Sequence, residues 1–505
     1  MGRGKKVVYN AMTNLVSQII TMIAAFILPR LIMESFGSSY NGITSSVAQF
    51  LSIVTLLRSG VGGATRVALY KALAGKDYDQ VSATIKATEL FMRKVAFIFG
   101  VFVLAFSMIY PFFVRNEFEW LFSSTLVLIL SASTFIQYYF GITYYFLLQA
   151  DQRQYVATII ETISVILNVI LSVILIKIGC GIHVVKIGST IAFCITPIAL
   201  YFYCNKHYHL RKDVKPDYNS IGQRWDALFH QVASFIHSNT DIMLLTIFSS
   251  TKIISVYTTY YLVGNGIKKI LLTLSSGVES AYGDLIARNE MNTLKANLKI
   301  YENLINFLSS ICFGASLVLI TPFVMVYTRG ISDVDYSRIV FGYLVIISEM
   351  LYCLRAPYES IINAAGHFKQ TKKYAFIEAT VNIVVSIALV IKFDLIGVVI
   401  GTIVAILYRV IAFSYYSDKH ITKRSFLNTF GRFAVTGFTI LVVFLVCNFF
   451  MPATMSSYIE WIKYAIPVTA IATIITTVLN VLFYKKETQA TFGKIYSIVK
   501  QIAKR

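Results

Sequence analysis

The sequence has few charged side chains: Lys, Arg, Asp and Glu make up 14% of its 505 residues, whereas 56% are apolar. A soluble domain of average composition has about 25% charged and about 45–50% apolar residues. Only eight prolines and 27 glycines are present, too few for a fibrous or low-complexity chain. Long polar stretches are also lacking, so the sequence predicts no separate soluble domain and a chain that lies mostly in lipid.

Motifs for covalent and metal chemistry are missing as well. The six cysteines are scattered without CxxC spacing, which indicates small core residues rather than a zinc or disulfide site. No Walker A sequence, glycine-rich phosphate loop or HExxH occurs, so ATP hydrolysis and metalloenzyme chemistry have no visible site. We therefore predict that the chain is not an enzyme and binds no organic cofactor.

The apolar residues that are present fall into fourteen long segments. A bilayer core of about 30 Å requires about 20 apolar residues per helix. The first segment follows a basic flank and has no signal-peptide cleavage site, so it is expected to be a retained helix. The sequence thus predicts an all-α polytopic membrane protein with about fourteen transmembrane helices. The predicted segments are residues 8–33, 41–72, 84–114, 120–149, 154–178, 183–205, 226–250, 254–287, 295–327, 337–365, 371–393, 396–417, 429–451 and 458–484.

Lys and Arg are concentrated in alternate loops, from the N-terminal Arg3 and Lys5 to the tail after Lys485. Because cytoplasmic loops collect these residues, we predict a bacterial cytoplasmic membrane protein with both termini in the cytoplasm. The net charge of +20 is therefore explained by basic loops that contact anionic lipids of the inner leaflet. We predict no nucleic-acid partner. The opposite loops are short, the longest near 328–337, which disfavours a membrane glycosyltransferase or polymerase with a sizeable outward catalytic loop.

Two short motifs recur at nearly equal offsets: Leu57–Val61 resembles Leu274–Val278, and Asn168–Ser172 resembles Asn382–Ser386. Six segments separate the copies, so both halves enter the membrane in the same orientation, as in a parallel repeat. Chance matching in a biased sequence is the alternative explanation. A duplication predicts two six-helix bundles that enclose a cavity, as in a carrier. The predicted domains are residues 1–205 (N-terminal bundle), 206–225 (cytoplasmic linker), 226–417 (C-terminal bundle), 418–484 (helices 13 and 14) and 485–505 (a cytoplasmic amphipathic tail).

Three passages, Leu28–Gly37, Asn239–Leu245 and Arg355–Lys369, resemble the Wzx-like polysaccharide transporters, the O-antigen and capsule flippases of the multidrug/oligosaccharidyl-lipid/polysaccharide superfamily, and a later passage, Ile396–Thr402, also fits. This resemblance implies a V-shaped pair of bundles. It also implies a substrate of undecaprenyl diphosphate carrying a short glycan, moved to the outer leaflet by alternating access. Arg58 departs from many relatives, which have an acidic or neutral residue there, but resembles the related lipid II flippases, and this favours a diphosphate ligand.

Arginines inside the apolar segments are the first candidate site residues. An ionisable group at the bilayer centre costs from about 2.5 kcal/mol upward, so it normally faces water or a partner. Arg suits a diphosphate because it is always charged and makes forked hydrogen bonds. We therefore predict that Arg58 and Arg355 receive the diphosphate and that Arg409 and Arg30 contact it later. The alternative is that each Arg snorkels or is neutralised by a carboxylate such as Glu349 or Glu359.

Acidic and histidine side chains in the same segments are candidates for coupling to Na+ or H+, because they titrate or coordinate as such coupling requires. Asp241 lies one turn after His237, with His230 seven residues further back, and Glu349 is a further candidate. Glu349 is six residues before Arg355, which disfavours direct pairing and favours contact with another helix. A satisfied interhelical hydrogen bond is the alternative for Asp241.

Tyrosines in the fourth and eighth segments are candidates for stacking on sugar rings, and these are Tyr138, Tyr145, Tyr257 and Tyr261. An interfacial aromatic belt explains them equally well. The expected partners are the lipid-linked oligosaccharide, membrane lipids and the polysaccharide polymerase machinery, and the protein is expected to be a monomer. The main alternative function is an ion-coupled multidrug exporter, which the arginines disfavour because cationic drugs require an acidic lumen.

Overall fold

The computed structural model describes residues 3–208, 210–211, 213–221, 235–236, 239–273, 278–452 and 455–503, with the side chains of residues 3–5, 7–8, 57, 59–60, 71, 220–221 and 495–503 not included. Within these ranges every regular element is helical. Contacts divide the chain into two compact units, Met1–Val256 and Tyr257–Arg505. The division falls later in the chain than the predicted boundary between the bundles, which stays a prediction.

Unit 1 begins with a long helix that contains Pro29 and ends at Phe36. A π-helical turn, Gln137–Gly141, separates two of its later helices, and a short 3-10 helix, Tyr218–Ile221, follows the last long one. The helices of unit 1 are α1 (Arg3–Phe36), α2 (Ser38–Leu51), α3 (Val54–Ala74), α4 (Tyr78–Ile109), α5 (Pro111–Val114), α6 (Trp120–Ile136), α7 (Ile142–Ala150), α8 (Gln154–Lys177), α9 (Ile182–His207) and α10 (Asn239–Phe248).

Unit 2 contains the remaining helices and a second π-helical turn, Ser417–Thr422. Its last helix has a kink at Tyr484, where the backbone leaves the helical region. The helices of unit 2 are α11 (Thr251–Thr273), which starts at the end of unit 1, α12 (Val278–Ala287), α13 (Met291–Tyr327), α14 (Ile339–Ala364), α15 (Phe368–Phe393), α16 (Leu395–Tyr416), α17 (Phe426–Phe449) and α18 (Tyr458–Ala503).

Length and hydropathy agree with the predicted polytopic architecture. Eleven described helices are long and apolar enough to span a membrane, and the bent pair Ser38–Leu56 and Val61–Ala74, whose axes differ by 44°, makes a twelfth if it counts as one span. The other two predicted segments, 226–250 and 254–287, run partly through residues outside the described ranges, so the count of fourteen stays a prediction. The second predicted segment was expected to be one helix, whereas the structure breaks it after Leu51.

The second motif of the predicted repeat lies on α8 in unit 1 and on α15 in unit 2, and its polar residues are buried in both. In unit 1, Asn168 and Ser172 of α8 are buried, as are Asn382 and Ser386 of α15 in unit 2. Asn382 donates to Thr402 of α16 over 3.0 Å. Close packing of α15 on α16 requires Gly401, because a Cβ there would lie 2.7 Å from the backbone nitrogen of Ser386. The first motif cannot be compared, because residues 274–277 lie outside the described ranges.

The two chain ends are tied to their own units by polar contacts. Lys6 donates to Asp151 over 3.0 Å, and Tyr208 donates to the other oxygen of that carboxylate over 2.6 Å. Burial raises the pKa of Tyr208 and the bond to Asp151 raises it further, so the hydroxyl remains a donor. At the other end, the predicted surface tail packs on α13 over residues 485–494, where Asn303 donates to Thr491 over 3.2 Å. The division of residues 485–505 as a separate cytoplasmic tail stays a prediction.

Candidate functional site

Arg58 is the centre of a polar and aromatic group inside unit 1. Its guanidinium lies over the ring of Tyr145, 5.0 Å from the centroid, and it is close enough to interact electrostatically with Tyr138 and Glu161. These four residues come from α3, the π turn, α7 and α8. Among the described side chains none forms an ion pair with Arg58, and its own side chain is only half-buried. Within the described part of the chain, Arg58 is therefore a cation of a membrane-spanning unit that has no bonded counter-ion.

Arg355 and Arg409 occupy a different environment in unit 2, because both donate to Glu378 of α15. The distances are 3.2 Å from Arg355 Nη1 and 3.0 Å from Arg409 Nη1. Arg355 is also 3.2 Å from Glu359 on its own helix. All but Glu359 are at least nine-tenths buried, and the Glu359 side chain is 35% exposed. Two cations and two anions sum to zero, which is the condition under which charges are tolerated away from water.

This geometry favours the alternative interpretation of Arg355 and Arg409, in which carboxylates neutralise them. A diphosphate at Arg355 would have to displace Glu359, and at Arg409 it would have to displace the nearly buried Glu378. Their predicted role as direct diphosphate contacts stays a prediction without support from these contacts. Glu378 holds the cluster together, because it accepts a hydrogen bond from each of the two arginines.

Glu349 pairs with a residue that the sequence did not single out, Lys268 of α11, at 2.7 Å. This agrees with the prediction that Glu349 contacts another helix and does not pair with Arg355. Gly264 makes room for the carboxylate, because a Cβ there would lie 3.0 Å from the Glu349 side chain. The Lys268 ammonium also lies over Tyr352, 4.7 Å from the ring centroid.

The two ion-pair groups of unit 2 are joined through Tyr352. Its ring has Lys268 near it and the Arg355 guanidinium 4.3 Å from its centroid. On α14 the residues Glu349, Tyr352, Arg355 and Glu359 follow one another at spacings of three, three and four, so each adjoins the next along the helix surface. We call these four residues the α14 array, and their spacing is the sequence signal that identifies it. The spacing does not reveal the partners of the array, Lys268 and Glu378, because these come from other helices.

The remaining predicted residues are not brought to either group by a described contact. Arg30 is half-buried near the end of α1, and Asp241 of α10 is buried. His237 and His230 lie outside the described residues, so the predicted polar stripe stays a prediction. Within the described part of the chain no group of three or more His, Cys, Asp and Glu residues could hold a metal ion.

The candidate sugar-stacking tyrosines differ in how accessible they are. Tyr138 and Tyr257 are 2% and 4% exposed, and Tyr257 is stacked on Tyr261 with ring centroids 5.6 Å apart. Tyr145 is half-buried beside Arg58. Burial favours a packing role for Tyr138 and Tyr257, and leaves Tyr145 as the predicted tyrosine that adjoins a predicted ligand residue.

A second buried charge cluster was missed by the sequence reasoning. Glu302 of α13 and Asp418 of the second π turn are at most 1% exposed, and both accept hydrogen bonds from Arg424. Arg432 lies 4.0 Å from Glu302. The predicted segments place Glu302 and Arg432 near segment ends, and Asp418 and Arg424 in the connection between two segments. Charges at such positions attract no attention, because water is expected nearby.

Comparison with solved structures shows which fold these helices make. The lipid II flippase MurJ in an inward-closed conformation superimposes with a TM-score of 0.69 at 16% identity, over 95% of this chain and 99% of that chain. An inward-facing multidrug resistance MATE transporter of the MOP superfamily gives 0.62 at 14% identity, over 81% and 99%. A MOP superfamily transporter from Pyrococcus furiosus with a binding pocket of reverse polarity gives 0.55 at 12%, over 83% and 97%.

No protein-family model and no curated protein matches the sequence. At these identities the structural matches establish the fold and leave the substrate open. The chain therefore has the fold of MOP superfamily transporters, which agrees with the superfamily that the sequence resembles. The narrower resemblance to Wzx-like flippases is not decided by these matches.

Proposed function

We propose that this chain is a flippase that moves undecaprenyl-diphosphate-linked oligosaccharide from the inner to the outer leaflet of a bacterial cytoplasmic membrane, for assembly of a cell-surface polysaccharide. The observation that carries the proposal is Arg58, a half-buried arginine that lacks a bonded carboxylate among the described residues, in a chain with the fold of the lipid II flippase MurJ. In this proposal both termini are cytoplasmic, and alternating access moves the substrate.

Arg58 has the chemistry that a diphosphate headgroup requires. Transfer of the headgroup from water into a membrane-spanning unit removes water from its oxygens, and a fixed guanidinium replaces those bonds with forked, charge-assisted ones. The Tyr145 ring beneath the guanidinium restricts its movement and provides an apolar face next to the phosphates, where the first sugar would lie. Arg58 therefore takes the leading role that the sequence assigned jointly to Arg58 and Arg355.

The array on α14 has a different part in this proposal. Because Arg355, Arg409, Glu359 and Glu378 are mutually neutralised, they fix the packing of α14, α15 and α16. The Lys268 and Glu349 pair is the candidate for ion coupling, since protonation of Glu349 would leave the buried ammonium of Lys268 uncompensated. Coupling to Na+ or H+ thus moves from Asp241 and His237 to a pair whose contact is described.

An ion-coupled multidrug exporter is the second candidate, because several MATE transporters share this fold. A cationic drug needs an uncompensated carboxylate in its binding site, whereas the candidate binding residue Arg58 presents a guanidinium. A membrane glycosyltransferase or polymerase is the third candidate and is disfavoured by the short loop between α13 and α14.

Reconstitution separates these candidates. The purified protein is placed in liposomes with a fluorescent undecaprenyl-diphosphate disaccharide on one leaflet, and transfer is followed by a membrane-impermeant lectin. Arg58→Gln is expected to reduce the initial rate by about tenfold or more, the effect of removing a hydrogen bond to a charged group. Arg66→Gln is the matched control, because Arg66 lies on the same helix and bonds Gln149 at 3.1 Å.

Three results would count against the flippase. Equal rates for the Arg58 and Arg66 variants would remove Arg58 from the site. Transport of ethidium without transfer of the lipid would favour the exporter. Elongation of the disaccharide without its transfer would favour the glycosyltransferase.

A further inference from the structure

The first turns of α9 in unit 1 resemble the first turns of α16 in unit 2. Residues 185–189 read Val-Lys-Ile-Gly-Ser, and residues 398–402 read Val-Val-Ile-Gly-Thr. In both units the glycine allows close packing on the preceding helix. A Cβ at Gly188 would lie 2.6 Å from the Leu175 side chain of α8, and one at Gly401 would meet α15. The two helices are therefore comparable residue by residue at this point.

The two segments differ in charge at one position, where unit 1 has Lys186 and unit 2 has Val399. Val399 is 2% exposed, so the packing of this helix pair is completed in unit 2 without a charge. A lysine in an apolar segment costs free energy unless it faces water or a partner. Packing therefore does not explain Lys186, and we looked for the partner of its ammonium group.

Lys186 has no partner among the described side chains. No described hydrogen bond, ion pair or ring contact involves it, and no described charged group acts on its ammonium. Its neighbour one turn earlier, His183, is by contrast bonded to Thr125 of α6 at 2.9 Å. In unit 2, Lys268 and Arg355 are neutralised by carboxylates. Within the described part of the chain, the Lys186 ammonium thus still needs an anion or water.

Helix geometry directs Lys186 away from the exposed face of α9. The exposed side chains of that face are Val184, Ile187 and Ile191. On the other sides of the helix, Ser189 lies 3.5 Å from Ser172 of α8, and Thr190 donates to Ile129 of α6 over 2.9 Å. At about 100° per residue, Lys186 lies about 140° from the exposed face and between the sides that contact α6 and α8. Its side chain is therefore directed toward the interior of unit 1, and it is only half-buried there.

Lys186 and Arg58 lie toward opposite ends of unit 1. α9 begins at Ile182, after the predicted outward turn, so Lys186 lies about 6 Å along the helix from that end. The Arg58 guanidinium lies over Tyr145, five residues before α7 ends at Ala150, on the predicted cytoplasmic side. Unit 1 thus has one cation without a bonded counter-ion toward each predicted side of the membrane.

We propose that Lys186 binds the diphosphate of the transported lipid at the outward end of unit 1, after Arg58 has received it. The ammonium replaces hydrogen bonds that phosphate oxygens lose when they leave water. Lysine lacks the forked geometry of arginine, which suits a position from which the lipid is released. Lys186 takes the later role that the sequence assigned to Arg409, which Glu378 neutralises. The identity of the ligand rests on the proposed function.

Substitutions of Lys186 test this proposal in the liposome assay. Lys186→Val introduces the residue of unit 2 and is expected to reduce the initial rate of lipid transfer by about tenfold. Lys186→Arg retains the charge and is expected to retain the rate. Lys177→Gln is the matched control, because Lys177 is exposed at the same end of unit 1 and has no partner among the described side chains. Equal rates for Lys186→Val and Lys177→Gln would overturn the proposal.

A binding measurement separates this inference from the proposed function. The dissociation constant of pyrophosphate is measured by thermal stabilisation of the full-length Arg58→Gln protein in detergent, so that Arg58 does not contribute. Adding Lys186→Val is expected to raise this constant by about tenfold, and adding Lys177→Gln is expected to leave it unchanged. A normal size-exclusion profile of each variant shows that lost binding is not lost folding.

The outcomes of the two assays are distinguishable. If pyrophosphate does not stabilise the Arg58→Gln protein, or if Lys186→Val leaves the dissociation constant unchanged, the proposal for Lys186 is wrong. A parent protein that moves no lipid would instead contradict the proposed function, and the pyrophosphate measurement would still decide whether Lys186 binds a diphosphate.

Discussion

Glu378→Gln is expected to destabilise unit 2 strongly, because this carboxylate accepts hydrogen bonds from two buried arginines. The side chains of Glu378, Arg355 and Arg409 are at most 10% exposed, so water cannot replace the lost charge. The substitution leaves two guanidinium groups with Glu359 as the one remaining carboxylate of the cluster. Breaking a buried ion pair by removing one partner costs about 3–5 kcal/mol, and we expect a loss of this size in the free energy of unfolding.

A second substitution separates the charge effect from a packing effect. Arg409→Gln added to Glu378→Gln returns the cluster to zero net charge, with Arg355 still paired to Glu359. The double variant is expected to be more stable than the sum of the single effects by about 1–3 kcal/mol.

Unfolding is followed by tryptophan fluorescence in mixed dodecyl maltoside and SDS micelles. Asp284→Asn is the matched control, since it removes an exposed pair with Arg288 that contributes less than about 1 kcal/mol. Strict additivity of Glu378→Gln and Arg409→Gln, or a Glu378→Gln loss no larger than that of the control, would refute the argument.

Two further substitutions give expected outcomes. Gly401→Ala is expected to lower the midpoint temperature of unfolding by several degrees, because the added Cβ would lie 2.7 Å from the Ser386 backbone nitrogen. Gly437→Ala is the control and is expected to be neutral or slightly stabilising, because nothing lies within 4 Å of its Cβ position. Equal effects of the two substitutions would contradict this packing. Glu349→Gln is expected to abolish the dependence of the transport rate on the ion gradient, because it removes the carboxylate that pairs with Lys268. If the rate in the liposome assay kept its dependence on pH and Na+, coupling at this pair would be excluded.

The helical architecture could be predicted because the bilayer imposes it. Each span must be long enough to cross the hydrocarbon core and must satisfy its own backbone hydrogen bonds. Segment lengths in the sequence therefore translate directly into helices such as Gln154–Lys177 and Phe426–Phe449. The break between α2 and α3 was not predicted, because the residues around Ser52 remain apolar across it and a hydropathy pattern does not register a bend.

The candidate site was predictable only in part. Hydropathy identifies charged residues inside apolar segments, and it singled out Arg58, Arg355 and Arg409 in this way. It does not identify their neighbours, because Glu378 and Lys268 reach them from helices that are adjacent only in the folded chain. Pairing with a carboxylate and exposure to a ligand are equally consistent with an arginine in an apolar run.

The cluster around Arg424 shows a signal that was present and not used. The repeat of Lys, His and Arg after α9 and α16 is as clear as the motifs that indicated duplication. At the position of Asp418, which accepts a hydrogen bond from Arg424, the segment after α9 has Asn205.

The most direct test of the proposed flippase is where the lipid-linked oligosaccharide resides when the protein is absent. In a host strain that depends on this chain, deletion is expected to trap the oligosaccharide in the inner leaflet, inaccessible to a glycosidase added to spheroplasts. The parent chain is expected to restore its accessibility, and Arg58→Gln at equal expression is expected not to. An oligosaccharide that reaches the outer leaflet at the normal rate in the deletion strain would contradict the account.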